Sequence, residues 1–167
     1  KFNCKSFMEY SITAMKPLVS QIIIVSNNPD YDIFNLKRVE DVIKEAGPLA
    51  GIYTGLKTSK TEFNLVLSCD VPLITKEILE MLIEAQDRQS DIIQIVSQGK
   101  SMPLIALYKK CCETQFYQLL KNDERRLHVA VNQCKVKNIT LSSQTELFTK
   151  NINTPEDLKI IEDVSNN

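Results

Sequence analysis

Two unbroken apolar runs constrain the fold of this chain more than any other feature. One is Ile22–Val25, within the segment 21–26 (QIIIVS), and the other is Leu65–Leu67, within the segment 63–69 (FNLVLSC). The first segment has no polar residue inside it, which is typical of a strand that is buried on both faces of a sheet, and the second segment is the clearest strand in the sequence. Because amphipathic helical stretches separate such runs along the chain, the pattern predicts one α/β domain with a mostly parallel sheet.

Turn and cap residues set approximate bounds for the other elements. Helices are predicted over residues 5–18, from 47 onward, from a Thr75 cap to about 88, over 109–121 and over 155–164. Further extended segments are predicted over 38–42, 91–96, 102–108 and 136–140, with a hairpin turn at Gln98-Gly99.

The composition is that of one folded domain. The 167 residues are 43% apolar and 25% charged, with a net charge of −1 at pH 7. This balance excludes a strongly basic protein that binds the phosphate backbone of nucleic acids. The longest apolar runs are far too short to span a membrane. We therefore expect a cytoplasmic protein with neither a nucleic-acid nor a membrane partner.

Cysteine and histidine usage argues against a soft-metal site. The five cysteines have no CxxC spacing, and the pattern favours reduced, mostly buried thiols. His128 is the single histidine, so a site built from several histidines is excluded, and a surface or structural role is expected for it. A hard metal ion held by carboxylates remains possible.

A carboxylate stands directly after the second apolar run. Asp70 follows Cys69, and Pro72 ends the strand two residues later. In open α/β sheets, ligands bind outside the carboxyl ends of the strands, and a carboxylate there can hold Mg²⁺ and, through it, phosphates. The alternative is that Asp70 only caps the turn into the next helix.

A glycine-containing segment precedes this strand. Gly47-Pro-Leu-Ala-Gly51 is followed by Gly55, so the three glycines recur every four residues on one helix face. Small residues allow either tight packing of the helix or close approach of a ligand.

Other polar residues have both a binding and a simpler explanation. Asp41 and the turn at Ser26–Asn28 could contact a nucleotide, or Asp41 could be a solvated surface acid. Arg125 and Arg126 could bind phosphates in a bidentate manner, or belong to a solvated charge run.

The C-terminal motif allows similar alternatives. Asn151 and Asn153 precede Thr154 and Pro155. An Asn or Thr there could cap the last helix, or an Asn could complete a metal shell.

Three of these segments, in this order and spacing, resemble the molybdenum cofactor guanylyltransferases. They are Gly47-Pro-Leu-Ala-Gly51, Leu67-Ser-Cys-Asp-Val-Pro72 and Asn151-Ile-Asn-Thr-Pro-Glu-Asp-Leu158. The family patterns read C-D-x-P at the strand end and N-x-N-T-P-E near the C-terminus. The resemblance covers essentially the whole chain. Other nucleotidyltransferases, including the cytidylyltransferases of the same cofactor, share C-D-x-P but usually vary at G-P-L-A-G.

The resemblance implies one three-layer αβα, Rossmann-like nucleotidyltransferase domain over residues 1–167. It further implies Mg²⁺-dependent transfer of GMP from GTP to molybdenum-molybdopterin, with other cofactor-biosynthesis proteins and molybdoenzymes as further partners. The implied nucleotide contacts are Asp41, Asp70, Ser26 and Asn28, with Asp70 also catalytic and metal-binding. The residues assigned to the pterin or metal side are Asn151, Asn153, Arg125 and Arg126.

One family element has no counterpart in the sequence. The family begins with a strand and a glycine-rich loop of the type L-A-G-G-x-S-x-R-M-G-x-D-K, whereas no glycine precedes Gly47 here. We expect about two dozen further residues before Lys1, the usual size of such a strand and loop. The alternatives are a related enzyme that uses CTP or another phosphorylated acceptor, and a non-catalytic nucleotide-binding relative.

Overall fold

The computed structural model describes residues 5–154 and residue 157, and this part of the chain forms six strands and five α-helices. The strands are β1 (Ile23–Val25), β2 (Lys37–Val39), β3 (Phe63–Leu67), β4 (Ile92–Ser97), β5 (Lys100–Lys109) and β6 (Val136–Thr140). The helices are α1 (Phe7–Met15), α2 (Gly47–Thr58), α3 (Lys76–Glu84), α4 (Cys112–Lys121) and α5 (Leu127–Asn132), with 3-10 helices at Pro29–Phe34 and Glu146–Thr149.

The strands form two sheets. β1 pairs in parallel with β2, and the larger sheet has the order β3-β5-β4-β6. In the larger sheet, β5 is antiparallel to both of its neighbours, whereas β4 and β6 are parallel. The predicted hairpin turn is confirmed, because Gln98 and Gly99 adopt φ angles of 51° and 71° between β4 and β5. Positive φ at both positions suits a two-residue turn that matches the twist of the strands.

Helices cover both faces of the larger sheet, which confirms the three-layer α/β class. Ala106 and Tyr108 of β5 pack into a cluster with α2, α4 and α5. Ile105 and Leu107 alternate with them and pack into a second cluster with α1 and α3. Because successive residues of a strand point to opposite faces of the sheet, β5 contributes side chains to both hydrophobic clusters.

Two helices begin at residues whose chemistry suits a helix N-terminus. The Ser6 hydroxyl accepts a hydrogen bond from the Glu9 amide, and the Glu9 carboxylate accepts one from the Ser6 amide, which makes a capping box for α1. α2 begins at Gly47, whose φ of 66° is a conformation that glycine adopts at little cost. Pro48 then occupies the first turn, where its missing N–H leaves no hydrogen bond unmade.

Two expectations need correction. β1 is not buried on both faces, since only Ile24 of its three residues is buried, and all five residues of β3 are likewise only half-buried. The physical reason is a cleft that separates the two strands. The thiols are not mostly buried either, because Cys69 lies beyond the end of β3 and Cys111 lies just before α4, and both are exposed. The sequence also gave no sign of α5 or of the 3-10 helices.

Some expectations concern residues outside the described part of the chain. The predicted helix over residues 155–164 is described at Asp157 alone, and Cys4 is not described. Among the described residues, no helix has the length and apolar character needed to cross a bilayer.

Candidate active site

Asp70 follows β3 in a turn that leaves its carboxylate largely free. The Ser68 hydroxyl donates to Asp70 Oδ1 over 2.5 Å, and no other hydrogen bond to this carboxylate exists within the described residues. α3 begins six residues later behind Thr75, which makes no side-chain cap. Asp70 therefore does not cap the helix, and one of its oxygens remains available to a ligand.

The C-terminal asparagine motif lies against Asp70. The Ile152 amide donates to the Asp70 carbonyl oxygen over 2.8 Å, and the Ile152 side chain is buried against Phe7, Tyr10 and Leu73. Asn151 and Asn153, on either side of Ile152, are exposed. The structure thus brings two of the predicted site segments together, although they are far apart in sequence.

The residues after Asn153 form the local cap that the sequence suggested. Thr154 Oγ1 accepts a hydrogen bond from the Asp157 amide over 3.1 Å, and Asp157 Oδ2 accepts from the Thr154 amide, also over 3.1 Å. Thr154 is therefore the capping residue. Neither asparagine side chain has a hydrogen-bond partner within the described residues, so both can contact a ligand.

Asp41 lies just beyond β2 and carries an unpaired buried oxygen. Asn27 Nδ2 donates to Asp41 Oδ2 over 3.3 Å, and the Asp41 amide donates to Asn27 Oδ1 over 3.0 Å. Asp41 Oδ1 is buried and has no partner among the described atoms. Loss of solvent raises the pKa of Asp41, and the hydrogen bond from Asn27 offsets only part of this effect. A buried oxygen without a donor is costly unless a ligand supplies one.

Ser26 and Asn28 use their side chains within the turn after β1. Ser26 Oγ accepts from the Asn28 amide over 3.1 Å, and Asn28 Oδ1 accepts from the Asp30 amide over 2.9 Å. Asn27, between them, is the residue that contacts Asp41. Sequence reasoning identified this turn but did not single out Asn27. The feature that could have identified Asn27 is its amide side chain at the end of a strand, where ligands of open sheets bind.

The paired arginines bind neighbouring acids rather than Asp70. Arg125 forms an ion pair with Asp123 at 2.9 Å and donates over 3.0 Å to the Glu45 carbonyl oxygen, just before α2. Arg126 binds Glu124, and these hydrogen bonds lower the pKa of Glu124 to about 2. Both guanidinium groups are more than half exposed, so an anionic ligand could reach them.

The remaining candidates have structural explanations. His128 is exposed, as expected. A Cβ atom on Gly51 would lie 3.8 Å from Asp41 Oδ1, and one on Gly55 would lie 3.7 Å from Val25 Cγ2. The glycine face of α2 therefore lies against β1 and the Asp41 loop. The described residues contain no group of three or more histidines, cysteines or acids that could hold a metal ion.

The three-layer α/β fold, with Asp41 and Asp70 beyond the ends of β2 and β3, is that of nucleotidyltransferase-type domains. The family model described as "MobA-like NTP transferase domain" matches residues 1–138. Since that match covers most of the chain, the protein belongs to this family of NTP transferases.

Curated relatives agree with this family. The chain is 32% identical to the probable molybdenum cofactor guanylyltransferase of Flavobacterium johnsoniae, covering 94% of this chain and 83% of the relative. It is 31% identical to the protein of the same description from a Geobacillus strain, covering 94% of this chain and 85% of that protein. The resemblance seen in the sequence motifs is thereby confirmed.

A solved structure supports the fold. Molybdopterin-guanine dinucleotide biosynthesis protein A from Archaeoglobus fulgidus matches with a TM-score of 0.82 at 21% identity, covering 99% of this chain and 88% of that one. A cytidylyltransferase from Thermus thermophilus also matches, with a TM-score of 0.76 at 12% identity over 100% of this chain and 92% of that chain. At these identities the likeness concerns the fold alone.

Proposed function

We propose that this protein transfers GMP from GTP to molybdenum-molybdopterin and releases pyrophosphate. The observation that carries this proposal is the similarity, at 31–32% identity over 94% of the chain, to relatives named molybdenum cofactor guanylyltransferases. Unpaired carboxylate oxygens beyond two strand ends support it, because they suit a nucleotide with hydrogen-bond donors and bound cations.

The proposed reaction is a displacement at the α-phosphorus of GTP. A terminal phosphate oxygen of the pterin forms the new P–O bond, while the bond from the α-phosphorus to the bridging oxygen breaks and pyrophosphate leaves. No covalent intermediate with the protein is needed. The protein's contribution is therefore to align the two phosphates and neutralise their charge.

Asp70 is the residue proposed to hold Mg²⁺. The donor set fits this ion: Asp70 has a hard carboxylate oxygen free of hydrogen bonds within the described residues, and its backbone carbonyl is bonded to Ile152, between the exposed Asn151 and Asn153. A site with one protein carboxylate suits Mg²⁺, which commonly keeps several waters and takes its other ligands from substrate phosphates. When bound, the ion would neutralise phosphate charge. Asn151 and Asn153 would contact the same ion or the pterin.

Asp41 is the residue proposed to select guanine. Guanine presents two adjacent donors, N1–H and the exocyclic amine, and a carboxylate can accept both. Asp41 Oδ1, buried and unpaired, is an acceptor suited to such a pair, and Asn27 holds the other oxygen in place. Cytosine and adenine lack this pair of donors, so either base would leave the oxygen unsatisfied.

The remaining residue roles are proposed from where each side chain lies in the fold. Ser26 and Asn28 are proposed to contact the nucleotide through the turn that they stabilise beside Asn27. Arg125 and Arg126 are proposed to bind the pterin phosphate, since both guanidinium groups are exposed. A cytoplasmic location and partnership with other cofactor-biosynthesis proteins and molybdoenzymes stay predictions.

The proposal is tested by incubating the purified protein with molybdenum-molybdopterin, Mg²⁺ and each of GTP, CTP and ATP. We expect pyrophosphate release and the guanine dinucleotide with GTP only. Preference for CTP would favour the cytidylyltransferase alternative, and nucleotide binding without transfer would favour a non-catalytic relative. In the Asp41→Ala variant, GTP affinity should fall by about 1–2 kcal/mol while CTP affinity changes little. An unchanged GTP preference would remove Asp41 as the base reader.

A further inference from the structure

Two cysteine side chains lie in contact in the hydrophobic cluster between the larger sheet and helices α2, α4 and α5. Cys112 is the first residue of α4, and Cys134 lies just beyond the end of α5. Their thiols form a hydrogen bond with each other, and both side chains pack in the same cluster. A disulfide needs sulfur atoms that can meet without a shift of the backbone, and contact between the two thiols favours this.

Hydrogen bonds hold the segment that carries Cys134 against the helix that carries Cys112. The Gln115 side chain, in the first turn of α4, lies with its Oε1 3.3 Å from Cys134 Sγ. Its Nε2 donates to the Gln133 carbonyl oxygen over 3.2 Å. The Cys134 amide donates to the Val131 carbonyl oxygen over 3.0 Å, which fixes the turn after α5. These contacts define the position of Cys134 beside Cys112.

The two thiols differ in exposure and in acidity. Cys112 is buried, with 2% of its surface exposed, whereas Cys134 is only half-buried. The hydrogen bond between the thiols raises the pKa of Cys112, and burial raises it further. The same bond lowers the pKa of Cys134, against the opposing effects of desolvation and of Asp91. The thiolate, which is the nucleophilic form, therefore belongs to Cys134.

The other two cysteines of the described chain are more exposed but less acidic. Burial raises the pKa of Cys69, and the charge of Asp70 adds to this effect. Desolvation and the charge of Asp91 raise the pKa of Cys111. A cysteine that is sensitive to oxidants combines thiolate character, access to solvent and a second thiol within reach. Among the described cysteines, only Cys134 has all three features.

We propose that Cys134 is a site of oxidation by hydroperoxides and that Cys112 converts the oxidised sulfur into a disulfide. The Cys134 sulfur attacks one oxygen of hydrogen peroxide, the O–O bond breaks, and the thiol proton leaves with hydroxide as water, giving a sulfenic acid. The Cys112 sulfur then attacks the Cys134 sulfur, the S–O bond breaks, and the Cys112 proton leaves with that hydroxide as a second water. The two sulfurs together lose two electrons, which reduce the peroxide.

The disulfide would close residues 112–134 into a covalent loop that includes Arg125 and Arg126. Its formation is reversible, because an external thiol that attacks the disulfide restores both cysteines. None of the contacts that carry this inference involves Asp41 or Asp70, so it does not rest on the proposed transferase activity.

The test maps disulfides by mass spectrometry after mild oxidation of the purified, fully reduced protein. A small molar excess of hydrogen peroxide is added, the remaining thiols are blocked with N-ethylmaleimide, and trypsin separates residues 111–121 from residues 127–135. We expect these two peptides to be joined by a disulfide that disappears after treatment with dithiothreitol. If the folded protein does not form this linkage, the proposal is wrong.

Single variants identify the partner of Cys134, because the peptide 111–121 contains both Cys111 and Cys112. Cys111→Ser should keep the linkage, and Cys112→Ser should lose it. Cys69→Ser is the matched control at an exposed cysteine and should form the linkage at the wild-type rate. A linkage that persists in Cys112→Ser would make Cys111 the partner and contradict the proposal.

Dimedone, which reacts with sulfenic acids, distinguishes the sulfur that the peroxide attacks from the sulfur that forms the disulfide. In Cys112→Ser the sulfenic acid at Cys134 persists, so dimedone labelling of residues 127–135 should rise at least about tenfold over wild type. In Cys134→Ser the Cys112 thiol should remain unlabelled. Equal labelling of Cys134 in the first variant and Cys112 in the second would contradict the assigned roles.

Two controls concern folding and association between copies. Cys112 is buried, so Cys112→Ala is measured beside Cys112→Ser, and far-UV circular dichroism checks that each variant is folded. The linkage in wild type and its retention in Cys111→Ser identify the partner even where a Cys112 variant fails to fold. On a non-reducing gel the linked protein should run as a monomer. Linkage confined to dimers would join two copies and overturn the proposal.

Discussion

The Ile152 amide donates a 2.8 Å hydrogen bond to the Asp70 carbonyl oxygen. The bond fixes the backbone of Asp70, whose carboxylate is proposed to bind the metal, and it brings the backbone between Asn151 and Asn153 to that residue. The Ile152 side chain, 7% exposed, anchors the motif by packing against α1. A single amide thus couples the C-terminal motif to the turn after β3.

The Ile152→Pro variant tests this coupling, because proline removes the amide donor. We expect kcat for guanylyl transfer to fall about tenfold or more, since a displaced Asp70 loses its alignment. Ile152→Ala is the matched control: it keeps the amide and loses buried side-chain volume, which destabilises the protein by about 2–5 kcal/mol without displacing Asp70. Equal loss of turnover in both variants, measured well below their melting temperatures, would assign the effect to packing.

Replacing Asp70 with Asn tests its proposed metal role. The Asp70→Asn protein should keep its fold, because Ser68 can still donate to the remaining carbonyl oxygen, but turnover should fall at least about 100-fold, since several kcal/mol of charge neutralisation are lost. Glu84→Gln, at an exposed position of α3, removes the same charge and should leave turnover unchanged. Steady-state rates and far-UV circular dichroism give both readouts. A folded Asp70→Asn protein with near-normal turnover would contradict the assignment.

The sequence predicted those parts of the fold that depend on local pattern. The bounds of β6 and the turn at Gln98-Gly99 agree with the structure, because alternation and turn chemistry act over a few residues. Helix α5 was missed because its six residues show too little periodicity to be recognised. The half-buried state of β3 was missed because burial depends on neighbouring strands, which a local pattern does not specify.

The sequence indicated which residues are candidates for the site, but it did not indicate which of them contact one another. Asp41 and Asp70 were identified from their positions at strand ends and from the family resemblance. The pairing of Asn27 with Asp41 and of Ile152 with Asp70 joins residues far apart in sequence, so only the tertiary fold brings them together. Arg125 and Arg126 bind acids of the same exposed charge run, which agrees with the alternative of a solvated run more than with preformed contact to the rest of the site.

Arg126→Ala tests the proposed contact with the pterin phosphate. Arg126 binds Glu124 on the surface, and exposed pairs of this kind contribute little to stability, so the variant should melt near the wild-type temperature. We expect KM for molybdenum-molybdopterin to rise about tenfold, with GTP affinity unchanged. Lys121→Ala removes a neighbouring exposed charge at the end of α4 and should change neither value. An equal rise in KM for Lys121→Ala would indicate general electrostatic attraction.

Cys69 is adjacent to Asp70 but is expected to have no chemical role. Desolvation by the surrounding chain and the charge of Asp70 raise the pKa of its thiol, so the nucleophilic thiolate is scarce at neutral pH. Cys69→Val should therefore keep turnover within about twofold of wild type. Loss of turnover without loss of stability would instead indicate that the sulfur binds a ligand.

Asp41 should destabilise the folded protein at neutral pH in the absence of nucleotide. Its pKa is raised by desolvation, so the folded state binds the proton more tightly than the unfolded state does. Its stabilising contribution is complete below the unfolded pKa, about 3.9, and is lost as the pH rises through the higher folded value. Urea unfolding of Asp41→Asn, compared with wild type between pH 4 and 7, should show a relative gain in stability with increasing pH.

Asp32→Asn provides the comparison of opposite sign. The hydrogen bond from Arg38 lowers the pKa of Asp32, so this carboxylate stabilises the fold above its unfolded pKa and loses that effect as the pH falls through its lower folded value. Relative to wild type, Asp32→Asn should therefore lose stability as the pH rises towards the unfolded pKa of about 3.9, which lies below the range in which Asp41→Asn gains stability. Parallel pH profiles for the two variants would mean that Asp41 is stabilised as an anion by the protein itself. Its buried oxygen would then have no need of a donor from guanine.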